Sequence, residues 1–343
     1  MRDERLPRRA RVLAVAALLL LTACAGPDAG STADTPTASA TEAGGAPDVD
    51  IASLGAASIA VEPFADFAMS SGELVWVSGA APGIVAYDAG MDAVLKVETG
   101  EVTAALAFGH GAVWAAETSA GGSATTLLRV DATTGAVQRF PVPAPGVPPE
   151  SSIGVTDDAV WVAIPSADDG GAWTAHGLDP ATGASVRSID LGDDAVAAVR
   201  GGFGSVWVTR ATGVLGRYDA MTGESRAEIA LSRSSTFLSI GPDAVWVMNQ
   251  LGEVARVDPR TDEVVATIEA NPGGIIGGDI VATDDAVWLQ ATTRLGVEID
   301  PATNEVVRRL VPAQGSGGVA VTDDGAVWFT AHDEEALHRI PPP

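Results

Sequence analysis

The stretch Asp158-Ala159-Val160-Trp161-Val162 decides the fold, because variants of it recur along the chain from Leu74 to Phe329. In each copy a tryptophan follows a valine, and these tryptophans are Trp76, Trp114, Trp161, Trp207, Trp246, Trp288 and Trp328. The first and the last of the seven are six repeats apart, which gives a mean period of 42 residues. Self-similarity at such a period indicates a repeat architecture in which neighbouring units bury a shared core.

Each repeat contains four short apolar segments separated by turn-forming residues, and the fifth repeat shows this most clearly. Its segments are residues 237–240, 244–247, 254–257 and 264–268, with a G-P-D turn after the first and a D-P-R-T-D turn before the last. Four strands in about 40 residues are typical of a β-propeller blade, whereas helical repeats would show apolar residues at a period of 3.6. We therefore predict an all-β fold, a seven-bladed β-propeller of four-stranded blades that spans residues 51–343.

The two ends of the chain indicate how the ring closes. The last repeat supplies only three apolar segments before Pro341-Pro342-Pro343, and consecutive prolines do not continue a strand ladder. Upstream of the first complete repeat, Ser58-Ile59-Ala60-Val61 has the apolar character of a strand. We predict that this segment supplies the missing strand of the last blade and so ties the two ends together.

The N-terminus has the composition of an export signal. Five arginines precede an apolar run at residues 12–21, which is too short to cross a hydrocarbon core of about 30 Å as a helix. Arg8-Arg9 leaves the twin-arginine route open beside the general one, although its flanking residues match that pattern poorly. Residues 1–23 are thus predicted to be a signal peptide.

The apolar run ends in Leu21-Thr22-Ala23-Cys24, which resembles a bacterial lipobox. The resemblance implies cleavage before Cys24 and a thioether-linked diacylglycerol on its sulfur, which provides the several acyl chains that stable membrane attachment requires. The alternative is a buried structural cysteine, but Cys24 is the only cysteine and has no disulfide partner. We predict a protein outside the cytoplasm, anchored to the membrane through this lipid.

Composition also predicts a tether and restricts the partners. Residues 24–50 are mostly Ala, Gly, Ser, Thr, Pro and acidic residues, which bury too little apolar surface to offset the entropy of ordering. Removing residues 1–23 takes away five Arg, Asp3 and Glu4, so the formal charge falls from −25 to −28. Such a charge repels phosphate backbones and argues against nucleic acid as a partner. The remaining partners are the membrane lipid and an unidentified small molecule or protein.

The ligand-binding candidates are Trp173, His176, Glu117 and His332. The first three belong to connections that run through residues 117–126 and 165–176 and that help to lengthen two repeats to 47 and 46 residues. Extra length on one face of a repeat array often marks its binding surface, so we expect a ligand on the face that carries the connections between second and third strands. Flexible insertion without function is the alternative.

Other polar residues have simpler interpretations. The repeat tryptophans occupy packing positions between blades. The pairs Asp157-Asp158, Asp284-Asp285 and Asp323-Asp324 recur just before the tryptophan strand and are interpreted as turn residues rather than metal ligands. The four histidines show no metal-binding spacing, although a ring is able to bring distant ones together. No metal site is predicted from these patterns.

Residues 318–330, Gly-Val-Ala-Val-Thr-Asp-Asp-Gly-Ala-Val-Trp-Phe-Thr, resemble the D-G-x-L-W-F-T repeats of the virginiamycin B lyase (streptogramin lyase) family. That resemblance covers this repeat well and the others loosely. It implies a seven-bladed propeller that cleaves a cyclic depsipeptide ester by elimination, with a divalent metal and a His/Glu catalytic group. Here Ala331 follows Thr330 where the family often carries Glu, and no residue is assigned to that group.

Two functions therefore stay open. The first is a binding or protein-interaction module, for which no cofactor is predicted. The alternative is a metal-dependent lyase of the streptogramin type, which requires a His and a Glu that converge at the mouth of the channel. The D-x-x-T-G turns also resemble those of pyrroloquinoline quinone propellers, but there the repeat tryptophan falls in the last strand and here it falls in the second, so no quinone is predicted.

Overall fold

The computed structural model describes residues 40–41, 45–61, 65–103, 106–119, 125–143, 146, 148–166, 171–274, 278–312 and 315–342. The predicted signal peptide, Cys24 and most of the predicted tether lie outside these residues. No helix within the described ranges has the length and apolar character needed to cross a membrane.

The described chain is built of short strands arranged as seven antiparallel blades in a ring, which confirms the predicted β-propeller. Three strands precede the first blade: β1 Ala40–Thr41, β2 Asp48–Asp50 and β3 Ala57–Ala60. Blades one and two comprise β4 Ala65–Ser70, β5 Val75–Gly79, β6 Ile84–Tyr87 and β7 Ala93–Val97, then β8 Ala107–Gly109, β9 Ala112–Thr118, β10 Thr125–Asp131 and β11 Val137–Pro141. Blades three and four comprise β12 Ile153–Val155, β13 Val160–Pro165, β14 Trp173–Leu178 and β15 Ser185–Gly192, then β16 Val196–Gly202, β17 Ser205–Arg210, β18 Val214–Asp219 and β19 Ser225–Ala230.

The remaining blades complete the ring. Blades five and six comprise β20 Ser235–Ile240, β21 Val245–Asn249, β22 Glu253–Asp258 and β23 Glu263–Glu269, then β24 Ile280–Ala282, β25 Val287–Ala291, β26 Arg294–Asp300 and β27 Glu305–Val311. Blade seven comprises β28 Val319–Val321, β29 Val327–Ala331 and β30 Ala336–Ile340, with β3 as its outer strand. The helices in the described residues are two 3-10 segments, Ile51–Leu54 and His332–Glu334.

The closing strand is the one predicted from the sequence. β3 pairs antiparallel with β30, with Ser58 opposite His338 and Ile59 opposite Leu337. The Ser58 hydroxyl also lies 2.7 Å from Nδ1 of His338. The first and last strands of the propeller are thus joined within one blade.

The end of the predicted tether is part of the sheet structure. β2 pairs in parallel with β27, the outer strand of blade six, and Asp48 Oδ1 accepts a hydrogen bond of 2.9 Å from Nε of Arg294. β1 pairs in parallel with β23, the outer strand of blade five. The outer edge of a blade offers unpaired backbone groups, and these short segments satisfy them.

The repeat tryptophans pack between blades as predicted, and none is more than 5% exposed. In five of the seven the indole N–H bonds to a residue just before its own strand, as Trp161 does to Oγ1 of Thr156 at 3.1 Å and Trp207 to the carbonyl of Gly202 at 3.0 Å. The buried apolar residues form one cluster at each junction between neighbouring blades. Trp328 of the last blade shares its cluster with Val75 of the first, so the core is continuous around the ring.

The acidic turns also behave as predicted. Oδ1 of Asp179 accepts from the backbone N–H and the hydroxyl of Thr182 at 2.8 and 2.7 Å, and Gly183 then takes a φ of 69° that glycine tolerates. At the other kind of turn, Oδ1 of Asp324 accepts from the N–H of Ala326 at 3.0 Å. These carboxylates close turns.

Antiparallel pairing divides the connections between two faces. The turns between first and second strands and between third and fourth strands lie at one end of the blades, which we call the turn face. The connections between second and third strands and between successive blades lie at the opposite end, the loop face. The first strand of each blade lies innermost and lines the central channel.

Candidate functional site

The central channel contains a cavity of about 460 Å³ that opens at the turn face. Its walls come from the inner strands of all seven blades and are largely apolar, and they include Met69, Phe108, Ile153, Ile240, Ile280 and Val281. Ligand pockets typically enclose about 300–1,000 Å³ behind mostly apolar walls with a few polar groups. The polar groups of this channel therefore define the candidate site.

Four polar residues converge at the loop-face mouth of the channel, and we call Asp66, Glu150, His332 and Asp333 the mouth cluster. Asp66 is the second residue of β4, at the loop-face end of the inner strand of blade one. His332 and Asp333 belong to the 3-10 helix that follows β29 of blade seven. Glu150 lies in the connection that leads into β12, and it interacts electrostatically with both Asp66 and His332.

The backbone of the helical turn fixes His332. Its N–H donates to the carbonyl of Ser316 at 2.8 Å, and its ring Nδ1 lies 3.3 Å from the Ser316 hydroxyl. The same ring nitrogen lies 3.6 Å from Oδ1 of Asp333. The imidazole is half-buried, so part of its surface stays accessible to solvent.

Asp66 is brought to His332 by the junction between blades seven and one. The hydroxyl of Thr330 donates to the backbone carbonyl of Asp66 at 2.9 Å and accepts from the N–H of Gly318 at 2.6 Å. A Cβ on Gly318 would lie 2.6 Å from the backbone nitrogen of Ala68, so only glycine allows the two inner strands this approach. The closure of the ring thus positions the cluster.

The mouth cluster contains three carboxyl groups and one imidazole, so acidic groups are in excess. Burial raises the pKa of Asp66 above its usual value and repulsion from Asp333 adds to the effect, while His332 opposes both. Glu150 keeps surface exposed to solvent, yet the surrounding protein desolvates it enough to raise its pKa, and repulsion from Asp66 acts in the same direction. Carboxylates in such surroundings are stabilised by a proton or by another positive charge.

Three further charged residues line the channel cavity: Arg200 on β16 of blade four, Asp279 just before β24 of blade six, and the exposed Asp323 in the turn after β28. Nη1 of Arg200 donates to the carbonyls of Val199, Ser151 and Ile153 at 2.9, 3.3 and 3.3 Å. Oδ1 of Asp279 accepts from the N–H of Ile280 at 2.8 Å. Burial raises the pKa of Asp279 to about 6, although the charge of Arg200 opposes the rise.

Of the four residues proposed from the sequence, the structure brings only His332 into the mouth cluster. Glu117 is 7% exposed at the end of β9. Its carboxylate accepts from the N–H groups of Gly100 and Glu101 and lies 3.6 Å from Nε of Arg139. Glu117 therefore holds the connection between blades one and two, which is a structural role.

Trp173 and His176 were expected on a long loop, but both lie in strand β14. Trp173 pairs with Pro165 and packs partly buried against the core between blades three and four. His176 lies opposite Val162 in the body of the blade, and burial lowers its pKa. The ladder between the second and third strands continues to the loop face because pairing satisfies the backbone there, and residues 167–170 lie outside the described part.

Sequence reasoning missed Asp66, Glu150, Arg200 and Asp279. The sequence carried a signal for two of them, a charged residue within an inner strand. A propeller strand that lines a narrow channel is expected to be apolar, so such a charge is unusual. Arg200 is the one charged residue within β16, and Asp66 is the one charged residue within β4. Glu150 and Asp279 lie in connections whose path the repeat pattern does not define.

Within the described ranges, no group of three or more His, Cys, Asp or Glu side chains is arranged to hold a metal ion. The mouth cluster brings one histidine near three carboxylates, but its geometry is that of an electrostatic cluster.

Fold and channel together define the class of this protein, a seven-bladed β-propeller with a polar channel mouth. No protein-family model matches the chain, and no curated protein matches it. Among solved structures the chain is similar to BamB from Moraxella catarrhalis, with a TM-score of 0.54 and 16% sequence identity over 80% of this chain and 83% of that chain. A likeness at this level of identity shows a shared propeller fold.

Proposed function

We propose that this propeller is a binding module that holds a cationic group of a small molecule or a protein segment at the mouth cluster. The observation that carries the proposal is the convergence of Asp66, Glu150 and Asp333 on His332 at the loop face. Residues from blade one, blade seven and the connection between blades two and three meet there. Such convergence is typical of binding sites that are placed on the connections of a rigid scaffold.

The charges of the site favour a cation. Desolvation by the surrounding protein raises the pKa values of Asp66 and Glu150, and repulsion from a neighbouring carboxylate, Asp333 for Asp66 and Asp66 for Glu150, adds to the rise. An ammonium or guanidinium group placed between them would relieve the repulsion and form charge-assisted hydrogen bonds. The formal charge of −25 adds long-range attraction for such a partner.

A lysine-rich peptide and a glutamate-rich peptide of the same length test this proposal by calorimetric titration. We expect the lysine peptide to bind, and Asp66→Asn and Glu150→Gln each to weaken its binding by about tenfold, as for the loss of one charge-assisted hydrogen bond. Affinity should also fall as the pH is lowered towards the raised pKa values, because protonation removes the negative charge. Asp285→Asn on the turn face is the matched control, since it removes the same charge from an exposed turn.

Equal weakening by Asp285→Asn and by the mouth-cluster variants would contradict the proposal, because it would mean that the peptide responds only to net charge. Titration in raised salt sharpens the comparison, since salt screens exposed charges more than partly buried ones.

We further propose that the protein is exported and anchored to the membrane through a lipid on Cys24. This is supported by the apolar run at residues 12–21 and by the Leu21-Thr22-Ala23-Cys24 sequence. Cys24→Ser is expected to release the protein from the membrane fraction or to leave it unprocessed, as fractionation and the mass of the intact protein will show. Ala25→Ser is the control and should leave both unchanged; a wild-type protein without an added lipid mass would contradict the anchor.

A second candidate function is the lyase implied by the sequence resemblance, and one observation favours it. Glu150 and His332, a Glu and a His, meet at the mouth of the channel. The divalent metal that the resemblance implies finds no set of three or more ligating side chains among the described residues. The structural support for a lyase therefore consists of the proximity of Glu150 and His332 alone.

Virginiamycin B, incubated with the protein with and without a divalent metal salt, tests this second function. Elimination breaks the ester C–O bond and leaves a carboxylic acid and an alkene, so the linear product keeps the mass of the substrate, whereas hydrolysis adds one water. A lyase is expected to give the product of unchanged mass, and His332→Gln and Glu150→Gln should abolish it. Intact or hydrolysed substrate would contradict a lyase.

A further inference from the structure

We propose that the interior of the channel is a second binding site, separate from the mouth cluster, which takes a small zwitterion with an apolar body. The class is that of apolar α-amino acids and their dipeptides, with the carboxylate bound by Arg200 and the ammonium group bound by Asp279. Neither residue belongs to the cation site proposed above, so the two proposals stand on different observations.

The guanidinium of Arg200 is anchored on one side and open on the other. Nη1 makes its three hydrogen bonds to wall carbonyls, and the close approach of the neighbouring inner strand allows this, since a Cβ on Gly154 would lie 3.1 Å from Cα of Arg200. Nε and Nη2 have no hydrogen-bond partner within the described part of the chain, and neither atom is closed off from the channel. They present a two-donor edge, which is the geometry that binds a carboxylate.

Asp279 supplies the opposite charge in the same space. One carboxylate oxygen accepts a hydrogen bond from the backbone N–H of Ile280. The carboxylate also interacts electrostatically with Arg200, although the two described residues form no direct ion pair. Burial lowers the pKa of Arg200 and raises that of Asp279, and the attraction between the two charges opposes both shifts. A ligand with both charges would compensate both groups at once.

The walls determine the rest of the ligand. Most side chains that line the same cavity are apolar, among them Phe108, Ile153, Ile240 and Ile280, and its other polar side chains include Ser239 and Asp323. A cavity of about 460 Å³ has room for an amino acid or a dipeptide but not for a folded segment. Burial of an aliphatic side chain against these walls is favourable, at about 25 cal/mol per Å² of apolar surface.

The competing explanation is a buried charge pair that only stabilises the ring by linking blades four and six. Both explanations predict that loss of either charge changes stability. They differ in whether the protein distinguishes zwitterions from singly charged analogues, and the experiment uses this difference.

The experiment is calorimetric titration of the full chain with leucine and with Leu-Leu. Two analogues accompany them: 4-methylpentanoate, which lacks the ammonium group, and 3-methylbutylamine, which lacks the carboxylate. We expect at least one zwitterion to bind and each analogue to bind at least about tenfold more weakly, as for the loss of one charged contact. In Asp279→Asn the advantage of the zwitterion over 4-methylpentanoate should disappear, and in Arg200→Gln binding should be lost.

Asp285→Asn is the matched control, because it removes a carboxylate from an exposed turn outside the channel and should leave the affinity for the zwitterion unchanged. If Arg200→Gln does not fold, the analogue series on the wild-type protein and on Asp279→Asn still decides the question. The proposal is overturned if folded wild-type protein binds neither zwitterion, if the analogues bind equally well, or if Asp279→Asn keeps the same preference. The two proposals fail independently: the protein can bind the zwitterion without binding the lysine peptide, or bind the lysine peptide without binding the zwitterion.

Discussion

Replacing Trp246 by alanine is expected to lower the free energy of unfolding by about 3–5 kcal/mol. Trp246 is 1% exposed and lies in the core cluster between blades five and six. The guanidinium of Arg256 lies 5.1 Å from its ring centroid, so the substitution removes a cation–π contact as well as packing. The measurement is equilibrium unfolding in urea, followed by the change in fluorescence.

Trp173→Ala is the matched control for this substitution. Trp173 is only partly buried at the loop-face end of β14, so truncation there should cost clearly less. A cost below about 1 kcal/mol for Trp246→Ala would show that the repeat tryptophan is not the packing residue described above.

Deleting residues 51–61 is expected to lower the melting temperature sharply, because the deletion removes the outer strand of blade seven. Without β3 the third strand, β30, keeps β29 but loses its outer ladder partner, and the apolar face beneath Ile59 becomes exposed. Thermal unfolding monitored by circular dichroism measures the effect. An unchanged melting temperature would contradict closure by this strand.

A point substitution tests the closing strand without shortening the chain. Ile59 packs against the core cluster that joins blades seven and one, and Ala60 beside it is exposed. Ile59→Asp should lower stability by about 2 kcal/mol or more through lost burial and a poorly solvated charge. Ala60→Asp should leave stability nearly unchanged, within about 0.5 kcal/mol.

The fold was predictable because the turns and strands of each repeat depend mainly on contacts between residues that are close in sequence. The turn formed by Asp179 and Thr182 closes within four residues and needs no distant partner. The same is true of Trp161, whose indole bonds to Thr156 five positions earlier. Even the closing strand could be placed from the sequence, because a blade with three strands and a proline-rich end requires a fourth strand from elsewhere.

The candidate site was less predictable, and the residues proposed for it show the reason. Glu117, Trp173 and His176 belong to lengthened connections in the sequence, but pairing between second and third strands extends far enough to include all three in strands, Glu117 in β9 and the other two in β14. Glu117 is used by the neighbouring connection. The spacing of the tryptophans predicted the length of these segments. It did not predict how far strand pairing extends into each of them.

The amino-acid sequence by itself determined the number of blades, the four strands in each, the packing role of the tryptophans and the segment that closes the ring. All of these depend on contacts within one repeat or between adjacent repeats. Only the tertiary structure decided which polar side chains meet. Asp66 and His332 lie near opposite ends of the chain, and Arg200 and Asp279 belong to blades that are not neighbours. Such groups meet only because seven inner strands converge on one axis, and side-chain charges couple through that narrow and poorly solvated space.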